Sequence, residues 1–257
     1  MTLSEGRYRW NGSQLVSVEA PELALLVADS FLIRDGRIVA ADAHRARFLR
    51  DCETQGMVNS PTTFLSTAYA SLPRNGLWFP RIDLTERGEL ELWVRPSPML
   101  GRTLTLWTSP TDPRTSPQLK GPDIPALATL RERARDEGAD EAVILDADGY
   151  VCDGATTCFV WWRGDTLCLP PAMSPHIDSV TVAVVRSLAE DADYEVREEL
   201  VRPADLAGTD LWALNSLHGI RDVTHWISGP TLQVNDARLE SWQNQYWNFA
   251  GFPREGS

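Results

Sequence analysis

One residue with distinctive chemistry occurs only once in this sequence. The basic residues of the 257-residue chain are 23 arginines and a single lysine, Lys120. An arginine guanidinium stays charged in proteins, whereas a desolvated lysine amine can lose its proton and attack a carbonyl carbon, as in Schiff-base formation with an aldehyde cofactor. The alternative is a general bias toward arginine that leaves Lys120 on the surface by chance. Lys120 is therefore the candidate nucleophile.

The composition narrows the class of protein and its partners. Hydrophobic residues make up 43% and charged residues 23% of the chain, as in ordinary globular proteins, and the formal net charge is −12. This negative charge argues against nucleic-acid and membrane partners, because both need clustered positive charge. No apolar run approaches the roughly 18–20 residues that span a bilayer, and MTLSEGRYRW lacks a signal-peptide core. These features predict a cytoplasmic protein.

The cysteines and histidines do not have the spacing of a metal site. Cys152 and Cys158 are not in a Cys-x-x-Cys arrangement, and the four histidines show no ligand-like grouping. We therefore expect no metal, and buried reduced thiols. Most of the ten tryptophans are expected in the core or at a subunit interface.

The first part of the chain predicts short strands and one helix. Residues 30–41 indicate two strands joined by a turn at Asp35-Gly36. Asp42 is predicted to cap the following helix, which Gly56 ends. The alternating runs GELELWVRPSP and RTLTLWTSP are predicted to be adjacent strands.

A proline-rich stretch follows and predicts a division into two lobes. TSPTDPRTSPQLKGPDIP contains five prolines, which remove backbone donors and stiffen a connection. We therefore predict a small N-terminal lobe over residues 1–110, a linker over 111–119 and a larger lobe over 120–257. Lys120 lies at the far end of the linker, where a solvated lysine is also common.

The second lobe alternates helices with runs of strands. Asp123 is predicted to cap a helix with Leu127, Leu130 and Ala134 on one face. Strands follow up to Pro171, then a helix over 178–190 capped by Asp178 or Ser179, two more strands, and a helix over about 236–249. Strands outnumber helices and several are consecutive, which favours an α+β fold.

Several motifs occur around Lys120 in a fixed order. Lys120 precedes a helix, a Gly-x-Asp-Glu-Ala strand at 138–142, an acid-Gly-Ala turn at 153–155 and Pro170-Pro171. His44-x-x-Arg47-Phe48 lies upstream, and Ser179-Val180-Thr181 and residues 214–218 lie downstream. Together they resemble the class IV (fold type IV) enzymes that use pyridoxal 5'-phosphate (PLP), which include branched-chain and D-amino-acid aminotransferases and 4-amino-4-deoxychorismate lyase. The resemblance implies a small α/β lobe and a larger pseudo-barrel lobe.

The resemblance also implies roles for individual residues. Lys120 would form the Schiff base with PLP and then transfer the Cα proton. Asp153 would pair with the pyridine nitrogen, and Arg47 would bind the phosphate group. The backbone of Val180 and Thr181 at a helix start, with Ser216, would complete the phosphate site. Each also has an ordinary structural explanation, such as a surface ion pair for Arg47 or turn chemistry for Asp153. The family usually has glutamate at the position of Asp153 and asparagine at that of Cys158.

Three functions remain open. The stretch Leu-Asn-Ser-Leu-His-Gly-Ile-Arg resembles the lyase branch, which implies conversion of 4-amino-4-deoxychorismate to 4-aminobenzoate and pyruvate, a step toward folate. A class IV aminotransferase acting on an amino acid and a 2-keto acid is the alternative. A PLP-free homologue on the same fold is the third. The expected partner is a small anionic substrate, with Arg95 and Arg102 as candidate binding residues, although an ordinary surface pair is nearly as plausible. The resemblance further implies a homodimer.

Overall fold

The computed structural model describes residues 2–19, 23–57 and 61–253. In chain order the strands are β1 (Gly6–Trp10), β2 (Leu15–Ser17), β3 (Leu25–Ser30), β4 (Ile33–Arg34), β5 (Arg37–Val39), β6 (Leu77–Trp78), β7 (Arg81–Thr85), β8 (Leu90–Val94), β9 (Thr103–Thr108), β10 (Glu141–Leu145), β11 (Val151–Gly154), β12 (Cys158–Arg163), β13 (Thr166–Leu169), β14 (Glu195–Glu198), β15 (Asp210–Asn215), β16 (Gly219–Ile227) and β17 (Ala250–Gly251). The helices are α1 (Ala41–Thr54), α2 (Thr62–Ala70), α3 (Ile124–Asp136), α4 (Val180–Asp191) and α5 (Asp236–Asn248). No helix among these described residues combines the length and the apolar character that crossing a membrane requires.

The chain divides into two compact units. Unit 1 contains Met1–Leu100, Leu119–Pro122 and Asn248–Ser257, and unit 2 contains Gly101–Gln118 and Asp123–Trp247. The division predicted from sequence runs differently, since it assigns β9 to the N-terminal lobe. In the structure β9 pairs with β10 and β16 of unit 2. Residues 111–119 form neither helix nor strand, and Leu119–Pro122 return to unit 1.

Unit 1 contains two antiparallel sheets. One has the strand order β2-β1-β8-β7-β3, and the other has the order β17-β5-β4-β6. The β4–β5 hairpin turns at Asp35 and Gly36, whose φ angles of 49° and 76° suit a two-residue turn. Phe48 of α1 and Phe64 of α2 are buried in the core of this unit. The predicted hairpin is therefore confirmed.

Unit 2 is built on one mixed sheet with the order β11-β10-β9-β16-β15-β12-β13-β14. Its neighbours are antiparallel except for β9 with β10, β9 with β16, and β13 with β14. Four aromatic rings form a contiguous cluster with centroid separations of 5.0–5.7 Å; they belong to Trp162, Tyr194, Trp212 and Trp242. The mixture of sheets and helices confirms the predicted α+β class.

The local predictions hold better than the pairing prediction. Asp123 occupies the N-cap position of α3, although its carboxylate accepts from Thr115 and Ser116 and does not cap the helix. The buried residues of α3 are Leu127, Leu130 and Ala134, and the side chain of Ser179 caps α4. Two further expectations are wrong. Asp42 does not cap α1, because the helix begins two residues earlier than predicted, at Ala41, after Ala40 in a left-handed conformation. The strands β8 and β9 are not adjacent, because β8 pairs with β1 and β7.

Candidate active site

Lys120 is fixed through its backbone to strand β3 of unit 1. The N–H of Ala28 donates to the carbonyl oxygen of Lys120 at 2.7 Å, and the lysine is half-buried. Gly121 has a φ of +150°, and a Cβ on it would lie 2.8 Å from the Cα of Val27. Only glycine permits this approach without displacement of the backbone. The peptide after the lysine therefore packs directly on β3.

The neighbouring residue of β3, Asp29, is the centre of a buried charged cluster. Its carboxylate accepts hydrogen bonds from Nε and Nη2 of Arg47, both at 2.9 Å, and from Nδ1 of His44 at 2.8 Å. Asp29 is 0% exposed, and His44 and Arg47 are buried. Burial raises the pKa of Asp29, but the charge of Arg47 and the hydrogen bonds from His44 and Arg47 outweigh it and hold this pKa well below its usual value.

His44 is electrostatically coupled to the lysine. Burial lowers the pKa of His44 below its usual value, with smaller lowering by the charges of Arg47 and Lys120, although Asp29 raises it. An ionised carboxylate only accepts hydrogen bonds, so the neutral ring carries its proton on Nδ1. The amine of Lys120 therefore lies close enough to this cluster to act on its charge. Strand β3 of unit 1 thus contacts the backbone of Lys120 through Ala28 and the side chain of Arg47 through Asp29.

Asp153 is the buried carboxylate of strand β11 in unit 2 and is 3% exposed. Its Oδ2 accepts from the backbone N–H of Ile177 at 3.3 Å and from Nη1 of Arg114 at 3.4 Å. Burial raises the pKa of Asp153, against the lowering effects of Arg114 and of a hydrogen bond from Cys158. Cys158, which stands where the family has asparagine, therefore keeps a donor beside this carboxylate.

Arg114 is a site residue that the sequence did not reveal. Its Nε and Nη2 each lie 2.9 Å from a carboxylate oxygen of Asp112, and Nη2 lies 3.3 Å from Sγ of Cys152. Only 2% of its side chain is exposed. Arg114 lies in the proline-rich stretch that reads as a solvated linker, and 39 residues separate it from Asp153. No short-range motif marks such a contact.

The start of helix α4 offers two backbone donors. Oγ of Ser179 accepts from the N–H of Val182, which leaves the N–H groups of Val180 and Thr181 ahead of the first intrahelical bonds. Both residues are buried, and a hydrogen bond links the Thr181 side chain with Tyr246. A helix start with two such donors suits an anion.

Ser216 lies in the turn between β15 and β16. Oδ1 of Asn215 accepts from the N–H groups of Leu217 and His218, at 3.2 and 2.8 Å. Nδ2 of Asn215 donates to the carbonyl oxygen of Thr156 at 3.2 Å. The turn that carries Ser216 is thereby attached to the loop that follows Asp153.

The two candidate substrate arginines belong to different units. In unit 1, Nε of Arg95 donates to the carbonyl oxygen of Phe79 at 2.7 Å, and its guanidinium lies 4.5 Å from the Trp93 ring centroid. Arg7 stacks on the same ring, also at 4.5 Å. Arg102 is exposed in unit 2. The geometry of Arg95 suits a cation held on an aromatic surface.

Comparison with known proteins identifies the family. The sequence profile described as Amino-transferase class IV matches residues 26–226. A probable branched-chain-amino-acid aminotransferase of Rickettsia bellii is 28% identical over 74 residues, which are 29% of this chain and 25% of that protein. The match thus spans about a quarter of that relative's length.

Two solved structures share the fold. A hypothetical aminotransferase from Mycobacterium tuberculosis in its PLP-bound form has a TM-score of 0.78 and 17% identity, and the alignment covers 95% of this chain and 98% of that one. A branched-chain aminotransferase from Thermoproteus uzoniensis with norvaline also has a TM-score of 0.78 and 17% identity, with 93% of each chain covered. The predicted fold type IV architecture is confirmed. With a profile match over most of its length, the chain belongs to the class IV aminotransferase family.

Proposed function

We propose that this chain is a PLP-dependent enzyme that acts on the amino group of a small anionic substrate. The observation that carries the proposal is the attachment of the chain's one lysine to β3, next to the buried cluster of Asp29, His44 and Arg47. Family membership supports the same conclusion, and the Mycobacterium tuberculosis protein that shares the fold was solved in a PLP-bound form.

The residues present fit this cofactor. A half-buried amine, a buried carboxylate at Asp153 and the donors at the start of α4 are the groups that an aldehyde, a pyridine nitrogen and a phosphate require. When bound, PLP supplies the aldehyde carbon and a ring that accepts electron density from the substrate Cα.

Each residue then has a defined task. The amine of Lys120 removes and returns the proton at the substrate Cα. The residues that would hold the phosphate group are Arg47, the N–H groups of Val180 and Thr181, and the hydroxyl of Ser216. Asp153 would stabilise a proton on the ring nitrogen, and Arg95 and Arg102 would bind substrate carboxylates. Because Asp153 is one methylene shorter than glutamate, its contacts with Arg114 and Ile177 matter more for its position.

Amino-group transfer between an amino acid and a 2-keto acid is the first candidate reaction. It is favoured by the family and by the relatives, which are described as aminotransferases. The expected result is a slow first half-reaction in which an added amino acid is converted to its keto acid in proportion to enzyme. Keto acid measured in a single-turnover assay tests this candidate.

Elimination from 4-amino-4-deoxychorismate, giving 4-aminobenzoate and pyruvate, is the second candidate. The stretch Leu-Asn-Ser-Leu-His-Gly-Ile-Arg favours it, since it resembles the lyase branch. Incubation of the purified chain with this substrate, followed by chromatographic detection of 4-aminobenzoate, tests it directly. Absence of 4-aminobenzoate alongside keto acid formation would leave the aminotransferase.

Lys120→Arg tests the cofactor proposal itself. The wild-type protein is expected to absorb visible light after addition of PLP and to carry one PLP-derived mass on the Lys120 peptide after borohydride reduction. Lys120→Arg keeps the positive charge but removes the only side-chain amine. We expect no labelled peptide in this variant. A wild-type protein that stays colourless and unlabelled would contradict the proposal and favour a PLP-free homologue.

A further inference from the structure

Adjacent residues of β3 contact the two groups that matter most for cofactor attachment. The N–H of Ala28 bonds to the carbonyl oxygen of Lys120 at 2.7 Å. The next side chain, Asp29, accepts two bonds from Arg47 and one from His44. One short, buried piece of strand therefore sets both the backbone of the nucleophile and the plane of the guanidinium.

The geometry is more specific than charge balance requires. Asp29 accepts from Nε and Nη2, the side-on edge of the Arg47 guanidinium, so both the plane and the direction of the group are fixed. The bond from His44 Nδ1 holds Oδ1 from a second direction. A buried ion pair of this kind is weak evidence for stability alone, because desolvation offsets much of its attraction.

A second, independent contact fixes the lysine on the same strand. The peptide of Gly121 lies so close to β3 that a Cβ there would be 2.9 Å from the carbonyl oxygen of Leu26. The lysine segment therefore has no room to shift across this face of the strand without moving the backbone.

We propose that Asp29 is a positioning residue, which orients Arg47 for phosphate binding while the adjoining peptide of Ala28 holds Lys120 in register with it. This inference rests on the proposed PLP-dependent function. Asp29 itself touches neither phosphate nor substrate in this proposal. Its effect passes through Arg47, so it affects only those ligands that carry a phosphate group.

The test compares PLP with pyridoxal, which lacks the phosphate. Dissociation constants for both ligands are measured on the purified full chain by quenching of tryptophan fluorescence. Asp29→Asn is expected to weaken PLP binding by about tenfold, the scale of one charge-assisted hydrogen bond, and to change pyridoxal binding by less than about twofold. An equal loss for both ligands, or no loss for either, would overturn the proposal.

A double-variant cycle with Arg47→Gln shows whether Asp29 acts through Arg47. If it does, Asp29→Asn produces no further fall in the preference for PLP once Arg47→Gln is present. The double variant also removes the risk that Asp29→Asn alone fails to fold, since it leaves no unpaired buried charge. A further fall in the double variant relative to Arg47→Gln would contradict the proposal.

Asp83→Asn is the matched control. Asp83 is 1% exposed and lies in the same unit, where its two oxygens accept from Nε of Arg81 at 2.7 and 3.0 Å. This substitution removes an equally buried carboxylate partner of an arginine. We expect the Asp83→Asn protein to prefer PLP over pyridoxal as strongly as the wild type does. A similar loss there would show that any buried pair in unit 1 has this effect. If the wild type binds neither PLP nor pyridoxal, the proposed function itself is wrong. That result is seen in the wild type alone and is distinct from failure of the positioning proposal.

Discussion

At the scale of single residues, the carboxylates of the candidate site differ in how their charge is balanced. Asp29 has direct bonds to two basic side chains, and its pKa lies below the usual value. Asp153 has one longer contact with a guanidinium, and burial raises its pKa. The difference follows from geometry, because a nearby opposite charge must outweigh the desolvation of the carboxylate. Arg114 is the guanidinium that opposes the effect of burial on Asp153, so its removal is expected to change the ionisation of Asp153.

Arg114→Met is expected to destabilise the protein, and more so at high pH. Without the guanidinium the pKa of Asp153 rises further, so its ionised form at high pH becomes more unfavourable in the folded state. Asp112, whose pKa Arg114 lowers, loses stabilisation that is present only above the pKa of the unfolded chain. The loss from Asp112 is already complete at pH 5, which lies above the unfolded value, so only the Asp153 effect grows between pH 5 and pH 8. We expect a loss of about 3 kcal/mol at pH 8 and a smaller loss at pH 5, from urea unfolding.

The double variant that combines Arg114→Met with Asp153→Asn is the control for this experiment. It removes the carboxylate whose charge Arg114 balances, so the part of the pH dependence that Asp153 causes should disappear. A loss on Arg114→Met that is equal at both pH values would show that the guanidinium acts by packing and not by charge.

At the scale of secondary-structure elements, the pairing of β15 with β16 places two acids on a buried face. Asp222 lies opposite Trp212, and Asp210 lies opposite Trp162 of β12. Both carboxylate oxygens of Asp222 are shielded from solvent. Burial, and then the negative charge of Asp210, raise the pKa of Asp222 to about 7. This face of the sheet is therefore sensitive to protonation.

Asp222→Asn is expected to stabilise the protein above neutral pH. Because the folded-state pKa is raised, the wild-type protein loses stability as pH rises from the unfolded value toward about 7. Asparagine resembles the protonated acid and has no such loss. We expect a partial gain at pH 5, which already lies above the unfolded value, and a gain about 2 kcal/mol larger at pH 8, from chemical unfolding at both pH values.

Asp236→Asn, at the exposed start of α5, removes an equal charge near the same face and serves as its control. We expect no comparable gain, because Asp236 is exposed and its replacement removes no buried charge. A gain of the same size in both variants would show that the general negative charge of the chain causes the effect.

Local signals in the sequence predicted these elements well where a few neighbouring residues decide the structure. Asp35-Gly36 marks a turn through its left-handed backbone, and Ser179 marks a helix start through its side-chain oxygen. Strand pairing is a different matter, because β8 and β9 follow each other in sequence but join different sheets. Helix α2 has no such local signal, since its threonines and the flanking prolines and glycines resemble a loop.

The candidate site shows the same contrast. The order of motifs around Lys120 carried the family resemblance, and the family is now established. The bonds of Asp29 to Arg47 and of Arg114 to Asp153 join residues 18 and 39 positions apart. Such pairs depend on which strand lies beside which helix or loop, and no single-sequence pattern encodes them.

At the scale of the whole molecule, the family resemblance predicts a homodimer. The expected mass in solution is twice the 28.7 kDa of one chain. Light scattering coupled to size-exclusion chromatography measures it directly, and dilution tests whether the assembly is stable at low concentration. A monomer at every concentration would contradict the prediction.

The composition of unit 1 has a consequence for how the protein is made. β5 pairs with β17, and β3 bonds to the peptide of Lys120, although both partners are translated long after these strands leave the ribosome. During synthesis, the edge of β5 therefore has no β17 to pair with until residues 250–251 are made. The N–H of Ala28 lacks its final acceptor until Lys120 is made. Strand β5 cannot reach its final bonding until residues 250–251 have emerged, so unit 1 is completed only after unit 2 has been translated.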